Sequence, residues 1–126
     1  MKSVISALFI FVLIIILSII SSCYINNSVD EMLQQVYENE KYIAQNNWEE
    51  VKNGVESIKK IWDSRKTVSS FFLNHASVDL IDASIEKQIN SVTLREKSVF
   101  YYENNKFMLL INSLKEQQKI SFENVF

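Results

Sequence analysis

Residues 47–62 read NWEEVKNGVESIKKIW. The large apolar residues of this stretch follow one another at intervals of three and four, which is the spacing of one face of an α-helix. They are Trp48, Val51, Val55, Ile58 and Trp62. We therefore predict an amphipathic helix that begins at Trp48 and continues to Phe72 or Leu73.

Two polar features of this stretch bear on the prediction. Asn47 suits a helix N-cap, because its side chain accepts hydrogen bonds from free backbone N–H groups, and Glu50 stands at the third helical position, where an acid supports the cap. The pair Asn53-Gly54 also matches a β-hairpin turn. Because the apolar spacing continues through this pair, we place Gly54 inside the helix, where it costs about 1 kcal/mol.

The composition of the whole chain favours an all-α fold. The 126 residues include no proline and a single glycine, and β-turns of types II, I′ and II′ draw on these two residues. A net charge of −2 gives no electrostatic reason to bind nucleic acid. One cysteine excludes an intramolecular disulfide. We predict an N-terminal transmembrane or signal helix followed by a small antiparallel bundle of about four helices.

The first helix of this bundle has two predicted starting points. Ser28 and Glu31 form a capping box, which predicts that a helix begins there and ends near Gln45. With no glycine or proline between Cys23 and Ser28, the helix could instead continue directly from the apolar segment before it. Its inward face is expected to consist of Met32, Leu33, Val36, Tyr37 and Ile43.

The second half of the chain contains two further predicted helices. A turn at 74–77 precedes a helix that ends near Thr93, and the last helix runs from about Glu96 to Leu114. Ser121–Phe126 is expected to be a tail that folds back on the bundle through Phe122, Val125 and Phe126. The residues predicted to face inward are Ile81, Ile85, Ile89, Val92, Phe100, Phe107, Leu110, Ile111 and Leu114.

The N-terminal segment is long and apolar enough to cross a membrane. Val4–Ile25 holds no charged residue, and as a helix it would extend about 33 Å, against a hydrocarbon core of about 30 Å. Lys2 precedes the segment, and Asp30 carries the first charge after it. The positive-inside rule predicts a single-pass cell-membrane protein with a cytoplasmic N-terminus. Residues 1–25 then form the anchor, and residues 26–126 form an extracytoplasmic domain.

The end of this segment also has the form of a bacterial lipobox. In Ile20-Ser21-Ser22-Cys23, an aliphatic residue and two small residues precede a cysteine. In a lipoprotein, Cys23 would be lipidated and the preceding peptide removed. In a retained anchor, Cys23 is a small residue near the outer end of the span. We favour the retained anchor, because the apolar run is long for a cleaved signal, and either route tethers the domain outside the membrane.

The order of features along the chain resembles a known family. An apolar N-terminus is followed by Asn47-Trp48-Glu49-Glu50, by Trp62, by Asn74-His75 with Asp79 and Asp82, and by the closing residues ISFENVF at 120–126. This order is similar to that of the small membrane-anchored proteins of clostridia and their relatives known as domain of unknown function 4363 (DUF4363).

The resemblance covers essentially the whole chain, with two departures. Asn53-Gly54 lies where the relatives are strongly helical, and the lipobox is not a feature of the family. The resemblance implies a membrane-associated protein of a Gram-positive bacterium. It implies no activity, because none is assigned to the family.

One group of residues has the spacing of a metal or acid–base site. His75, Asp79, Asp82 and Glu86 are separated by intervals of four, three and four, so on one helix they would form a column suited to a divalent cation. We expect a helix boundary near Ser77 to divide this column, which makes Asp79 and Asp82 acids of a helix N-terminus. We predict no catalytic residue, no cofactor and no metal, with these four as the metal-site candidates.

Other prominent side chains have structural interpretations. Trp48 and Trp62 lie on one helical face, where packing in the core is favoured over an aromatic ligand clamp. The basic cluster, defined as Lys59, Lys60, Arg65 and Lys66, either forms a solvated helix face or contacts anionic lipid or cell-wall polymer. The same two interpretations, a solvated helix face or a contact surface, apply to Tyr101 and Tyr102.

Our functional expectation is a membrane-anchored, extracytoplasmic interaction module that is not an enzyme. Its partners would be the membrane and another envelope protein, such as a polytopic membrane protein, bound by a helix face or the C-terminal tail. The alternative is an ectodomain that senses a ligand or metal through the His75 region. An envelope hydrolase ranks last, because His75 is the only histidine available to activate a nucleophilic serine.

Overall fold

The computed structural model describes the backbone of residues 1–125, and their side chains apart from those of residues 21–22, 68, 71–72 and 118–125. The chain forms four α-helices: α1 (Lys2–Ala44), α2 (Trp48–Phe72), α3 (His75–Thr93) and α4 (Lys97–Val125). Within the described residues, each helix packs beside its neighbours in the chain and α1 also packs beside α4, so α1 lies diagonal to α3 and α2 lies diagonal to α4. This is an antiparallel four-helix bundle, as the sequence predicts.

Helix α1 runs without a break from the apolar segment into the bundle. The capping-box prediction at Ser28 is therefore wrong, and the alternative of a continuous helix is confirmed. Ser28 is buried, and its hydroxyl donates a hydrogen bond to the carbonyl oxygen of Tyr24, 2.9 Å away. A serine whose hydroxyl bonds to the carbonyl oxygen four residues earlier can stand inside a helix. The capping-box motif therefore does not mark a helix start when the chain before it is already helical.

The starts of α2 and α3 are capped by asparagine. The Asn47 side chain accepts a hydrogen bond from the backbone N–H of Glu50, and that of Asn74 accepts one from the N–H of Ala76. The predicted bounds of α2 are confirmed. The turn predicted through Ser77 is wrong, because α3 already begins at His75. Asn74, the residue directly before α3, is its N-cap.

Helix α4 is longer than predicted. It continues to Val125 rather than ending near Leu114, so a non-helical tail from Ser121 is wrong for the described backbone. No proline or glycine stands in this stretch to end the helix. The predicted contacts of Phe122, Val125 and Phe126 with the bundle lie outside the described residues.

The two hairpins of the bundle, α1–α2 and α3–α4, turn in the same way. Asn46 and Arg95 both adopt the left-handed conformation, with φ of 56° and 52°. In each turn a backbone N–H, of Asn47 or Glu96, bonds to the carbonyl of the residue five positions earlier at 2.9 Å. This is the Schellman pattern that ends many helices. Both turns lie at the end of the bundle away from the N-terminal segment, which we call the far end.

The apolar core consists of two clusters along the bundle axis. The larger cluster surrounds Trp62, Phe107 and Ile111, and the smaller one, at the far end, surrounds Val51 and Phe100. The inward face predicted from spacing is largely confirmed, with Leu33, Ile89 and Leu110 partly buried. Tyr37 is the exception: it is 54% exposed, so its predicted inward position is wrong.

Candidate functional site

Helix α3 carries the whole of the predicted column from His75 to Glu86. The expected boundary near Ser77 does not divide it, yet its four members do not form one site. His75 and Asp79 are exposed, Asp82 bonds to α2, and Glu86 pairs with Lys59 of α2 at 3.4 Å. Among the described side chains, no three His, Cys, Asp or Glu residues are grouped so as to hold a metal ion. Sensing through the His75 region remains a prediction.

Asp82 of α3 bonds to two side chains of α2. Its two carboxylate oxygens accept hydrogen bonds from Trp62 Nε1 at 2.7 Å and from Lys66 Nζ at 2.6 Å. The hydrogen bond to Asp82 and the charges of Asp82, Asp63 and Asp79 raise the pKa of Lys66 above its ordinary value of 10.5. Trp62 is 1% exposed, so the core assignment is supported for this ring, and its polar edge is satisfied by a charged partner.

Trp48 has a different environment from Trp62. It is half-buried against the smaller core cluster. Together with Lys52, Val92 and Arg95 it lines a groove between α2 and the end of α3, at the far end of the bundle. We call this the far groove. A second depression, beside Val55 and Ile89, adjoins it through the shared Lys52 and Val92.

The basic cluster is divided among different partners. Lys59 pairs with Glu86, and Lys66 pairs with Asp82. Arg65 forms no ion pair within the described residues; its guanidinium stacks 4.0 Å from the centre of the Tyr24 ring on α1. Lys60 is exposed. Most of the cluster therefore holds helices together rather than forming one continuous basic face.

A layer of buried polar side chains separates the two core clusters. Asn39 and Gln88 are 0% exposed, Asn104 is 1% exposed and Glu103 is 6% exposed. Each has at least one side-chain nitrogen or oxygen without a hydrogen-bond partner within the described protein. Such groups cost free energy unless they are paired. The layer was not predicted from the sequence, although its residues interrupt the apolar stripes at core spacing: Asn39 stands between Val36 and Ile43.

Gly54 completes this layer on α2. A Cβ at this position would lie 2.7 Å from Asn39 Cγ and 2.6 Å from Gln35 Nε2. The two side chains occupy the space that Gly54 leaves, with Gln35 Nε2 donating to Asn39 Oδ1 at 2.9 Å. The glycine that departs from the resembled family therefore has a packing role, and it does not interrupt α2.

Helix α1 contains the one stretch of the described chain that could cross a membrane. Its apolar window has a mean hydropathy of 3.1, and none of it is buried against the bundle. Cys23 is exposed at the end of this stretch. By length and composition the helix could span a bilayer, as expected from the sequence.

The fold defines a class of protein in which an apolar N-terminal helix continues directly into a four-helix bundle. A family model described as "Domain of unknown function (DUF4363)" matches residues 19–125. The chain therefore belongs to this family, which confirms the resemblance drawn from its motifs. No curated protein and no solved structure matches the chain.

Proposed function

We propose that this protein is a membrane-anchored adaptor of the cell envelope, in which the bundle binds another protein outside the membrane and performs no catalysis. The observation that carries the proposal is the unbroken α1, which joins the apolar segment to the bundle core. An enzyme or receptor domain on a flexible linker samples many orientations. A bundle that shares a helix with its anchor holds one face at a fixed height and direction.

The far groove is the surface best suited to such a partner. Trp48 offers a large, half-buried ring, and tryptophan is enriched among the residues that dominate binding energy in protein interfaces. Lys52 and Arg95 line the groove together with the acid Glu49, and such charges favour orientation of a partner. The groove lies at the end of the bundle away from the anchor, where an envelope protein can reach it.

Photocrosslinking in living cells tests this function. A photoreactive amino acid is placed at Lys52, which lines the far groove, and, as a matched control, at Lys60, an exposed lysine of the same helix outside it. We expect a discrete adduct with one envelope protein from position 52 and none from position 60. Equal labelling from both positions, or no adduct from either in cells that express the protein at its native level, would contradict the proposal.

A further inference from the structure

The outward face of α4 is uncharged along residues 98–112, all of which the structure describes. Six residues of this range are exposed, and we call them the α4 stripe: Ser98, Val99, Tyr102, Asn105, Leu109 and Asn112. The exposed residues of α2, by contrast, include Glu49, Glu50, Lys52, Glu56, Lys60 and Asp63. The solvent face of a surface helix is normally charged, whereas charged residues are depleted at the centre of protein interfaces.

The α4 stripe also exposes large apolar side chains. Tyr102 is 65% exposed, Leu109 is 66% exposed and Val99 is 40% exposed. Tyrosine is enriched in protein interfaces. Lys106, the charged residue beside the stripe, is partly buried. The centre of the stripe therefore has the composition of a surface that another protein covers.

The order of residues in the stripe matches the seam of a two-stranded coiled coil. Tyr102, Asn105, Leu109 and Asn112 follow one another at intervals of three, four and three, which is the spacing of seam positions in a heptad. Apolar and asparagine side chains alternate along this seam. Asparagine at a seam position fixes the register and the number of strands of such helix pairs.

We propose that the α4 stripe binds the α4 stripe of a second copy of this protein, in a parallel dimer with two-fold symmetry. In such a dimer the same surface of both copies forms the interface, and residues near the axis face their own counterparts. A charged residue there would face a like charge, so an uncharged stripe is the surface of α4 that suits self-pairing. The side chain of Asn105 or Asn112 is both donor and acceptor, so each can bond to its counterpart.

The membrane anchor fixes the direction of the two copies, and in this respect the inference rests on the proposed function. Two chains inserted in one membrane with the same topology are related by an axis perpendicular to it, so their α4 helices run parallel. Lys115 of α4 pairs with Asp30 of α1, so the α4 stripe lies on the far-end side of this pair, beyond Val4–Ile25.

The anchor also compensates for the size of the contact. Four turns of one helix bury less than the roughly 800 Å² per partner of a standard interface. Confinement in one membrane raises the effective concentration of the second copy, which strengthens a weak contact. Because α2 lies diagonal to α4 in the bundle, pairing through α4 leaves the far groove of each copy free.

Disulfide crosslinking of the full chain in native membranes tests the dimer. In a Cys23→Ser background, single cysteines replace Asn105 or Asn112 in the stripe and, as a control, Lys60 on the exposed face of α2. Under mild oxidation we expect a dimer from position 105 and from position 112, and none from position 60. Dimers in equal amount from all three positions, or a disulfide to a different protein in place of the dimer, would overturn the proposal.

The parallel direction is tested with two differently tagged chains, one carrying Ser98→Cys and the other Asn112→Cys. These positions are fourteen residues apart, which separates them by about 21 Å in a parallel pair. We therefore expect no disulfide between the two tags. A disulfide that joins position 98 to position 112 would show an antiparallel contact and overturn the proposed arrangement.

A charge at the centre of the stripe should separate the copies. In the Asn105→Cys chain, Leu109→Glu should lower the crosslinked fraction by about tenfold, because like charges that face each other across an interface are strongly unfavourable. The matched control is Leu94→Glu, since Leu94 is also 66% exposed but lies outside the stripe. It should leave the crosslinked fraction unchanged, and circular dichroism melts should give both variants the Tm of the parent. Equal crosslinking in the two variants would overturn the proposal.

Fractionation of the same cells separates two kinds of failure. If the protein is recovered in the soluble fraction, the anchor fails, and the proposed function fails with it. If it is recovered in the membrane fraction without a dimer from position 105 or 112, only the pairing of the α4 stripe is wrong.

Discussion

At the scale of single residues, the centre of the bundle depends on a glycine opposite an asparagine. Helix propensity alone favours alanine over glycine by about 1 kcal/mol. At position 54 that preference is opposed by packing, because the Asn39 side chain occupies the volume of a Cβ. Asn39 is 0% exposed and cannot move toward solvent without opening the core.

We expect Gly54→Ala to destabilise the bundle by roughly 1–2 kcal/mol despite its better helix propensity, since overpacking costs exceed the propensity gain. Urea denaturation of residues 24–126 measures the change. In an Asn39→Ala background only the flexible end of Gln35, 2.6 Å from the new Cβ, remains and can move aside, so the same substitution should be neutral or stabilising. If Gly54→Ala stabilises the protein in both backgrounds, the close approach described for Asn39 is wrong.

The two tryptophans should respond differently to truncation. Trp62→Ala removes a fully buried ring and leaves the Asp82 carboxylate without its N–H partner, so we expect a loss of about 3–5 kcal/mol. Trp48 is half-buried, and Trp48→Ala should cost clearly less. Circular dichroism melts of the two variants compare them directly. Equal losses would mean that the far groove is part of the core.

At the scale of helices, a capping motif predicted a helix start correctly only where the chain before it is non-helical. Asn74 caps α3 although no cap was predicted there, and Asn47, with Glu50 three residues on, caps α2 as predicted because the chain before it is non-helical. Ser28 has the same motif but lies within α1, where backbone hydrogen bonds already satisfy the donors that a cap would serve. The signal for a continuous α1 was the absence of glycine and proline between Cys23 and Ser28.

The continuity of α1 predicts a rigid connection between the apolar N-terminal segment and the bundle. Asn27 is exposed in this helix, and Asn27→Pro removes a backbone hydrogen bond and clashes with the preceding turn. With spin labels at Leu13 and Gln45, pulsed electron–electron distance measurements on wild type in liposomes should give one narrow distribution. Asn27→Pro should broaden it. A wild-type distribution as broad as that of the proline variant would show that α1 is not rigid.

The pairing of α2 with α3 through Lys66 and Asp82 predicts a pH dependence. The pKa of Lys66 is raised in the folded protein, so its contribution to stability is complete below 10.5 and is lost as the pH rises through the raised value. The stability difference between wild type and Lys66→Gln should therefore be largest below pH 10.5 and shrink above it. Lys60→Gln, which removes an exposed lysine, should show no such difference at any pH.

At the scale of the whole molecule, the bundle consists of two hairpins with equivalent turns, and its core is divided by a polar layer. The fold class, and an N-terminal helix long and apolar enough to span a membrane, were predictable from composition and spacing. The polar layer was not, because asparagine and glutamine are mostly exposed in proteins, and only the packing of all four helices places Asn39, Gln88 and Asn104 inside. The candidate column on α3 was recognisable from its intervals. The partners of Asp82 and Glu86 on α2 were not, since they depend on the register between helices.

The membrane topology that we propose is a single crossing by α1 that presents the bundle outside the cell. Thiol labelling with a membrane-impermeant reagent tests it, using Lys2→Cys and Gln45→Cys in a Cys23→Ser background expressed in intact cells. The charge asymmetry across the span predicts that position 45 reacts in intact cells and that position 2 reacts only after permeabilisation. Labelling of position 2 but not position 45 in intact cells, or of neither position until lysis, would contradict this topology.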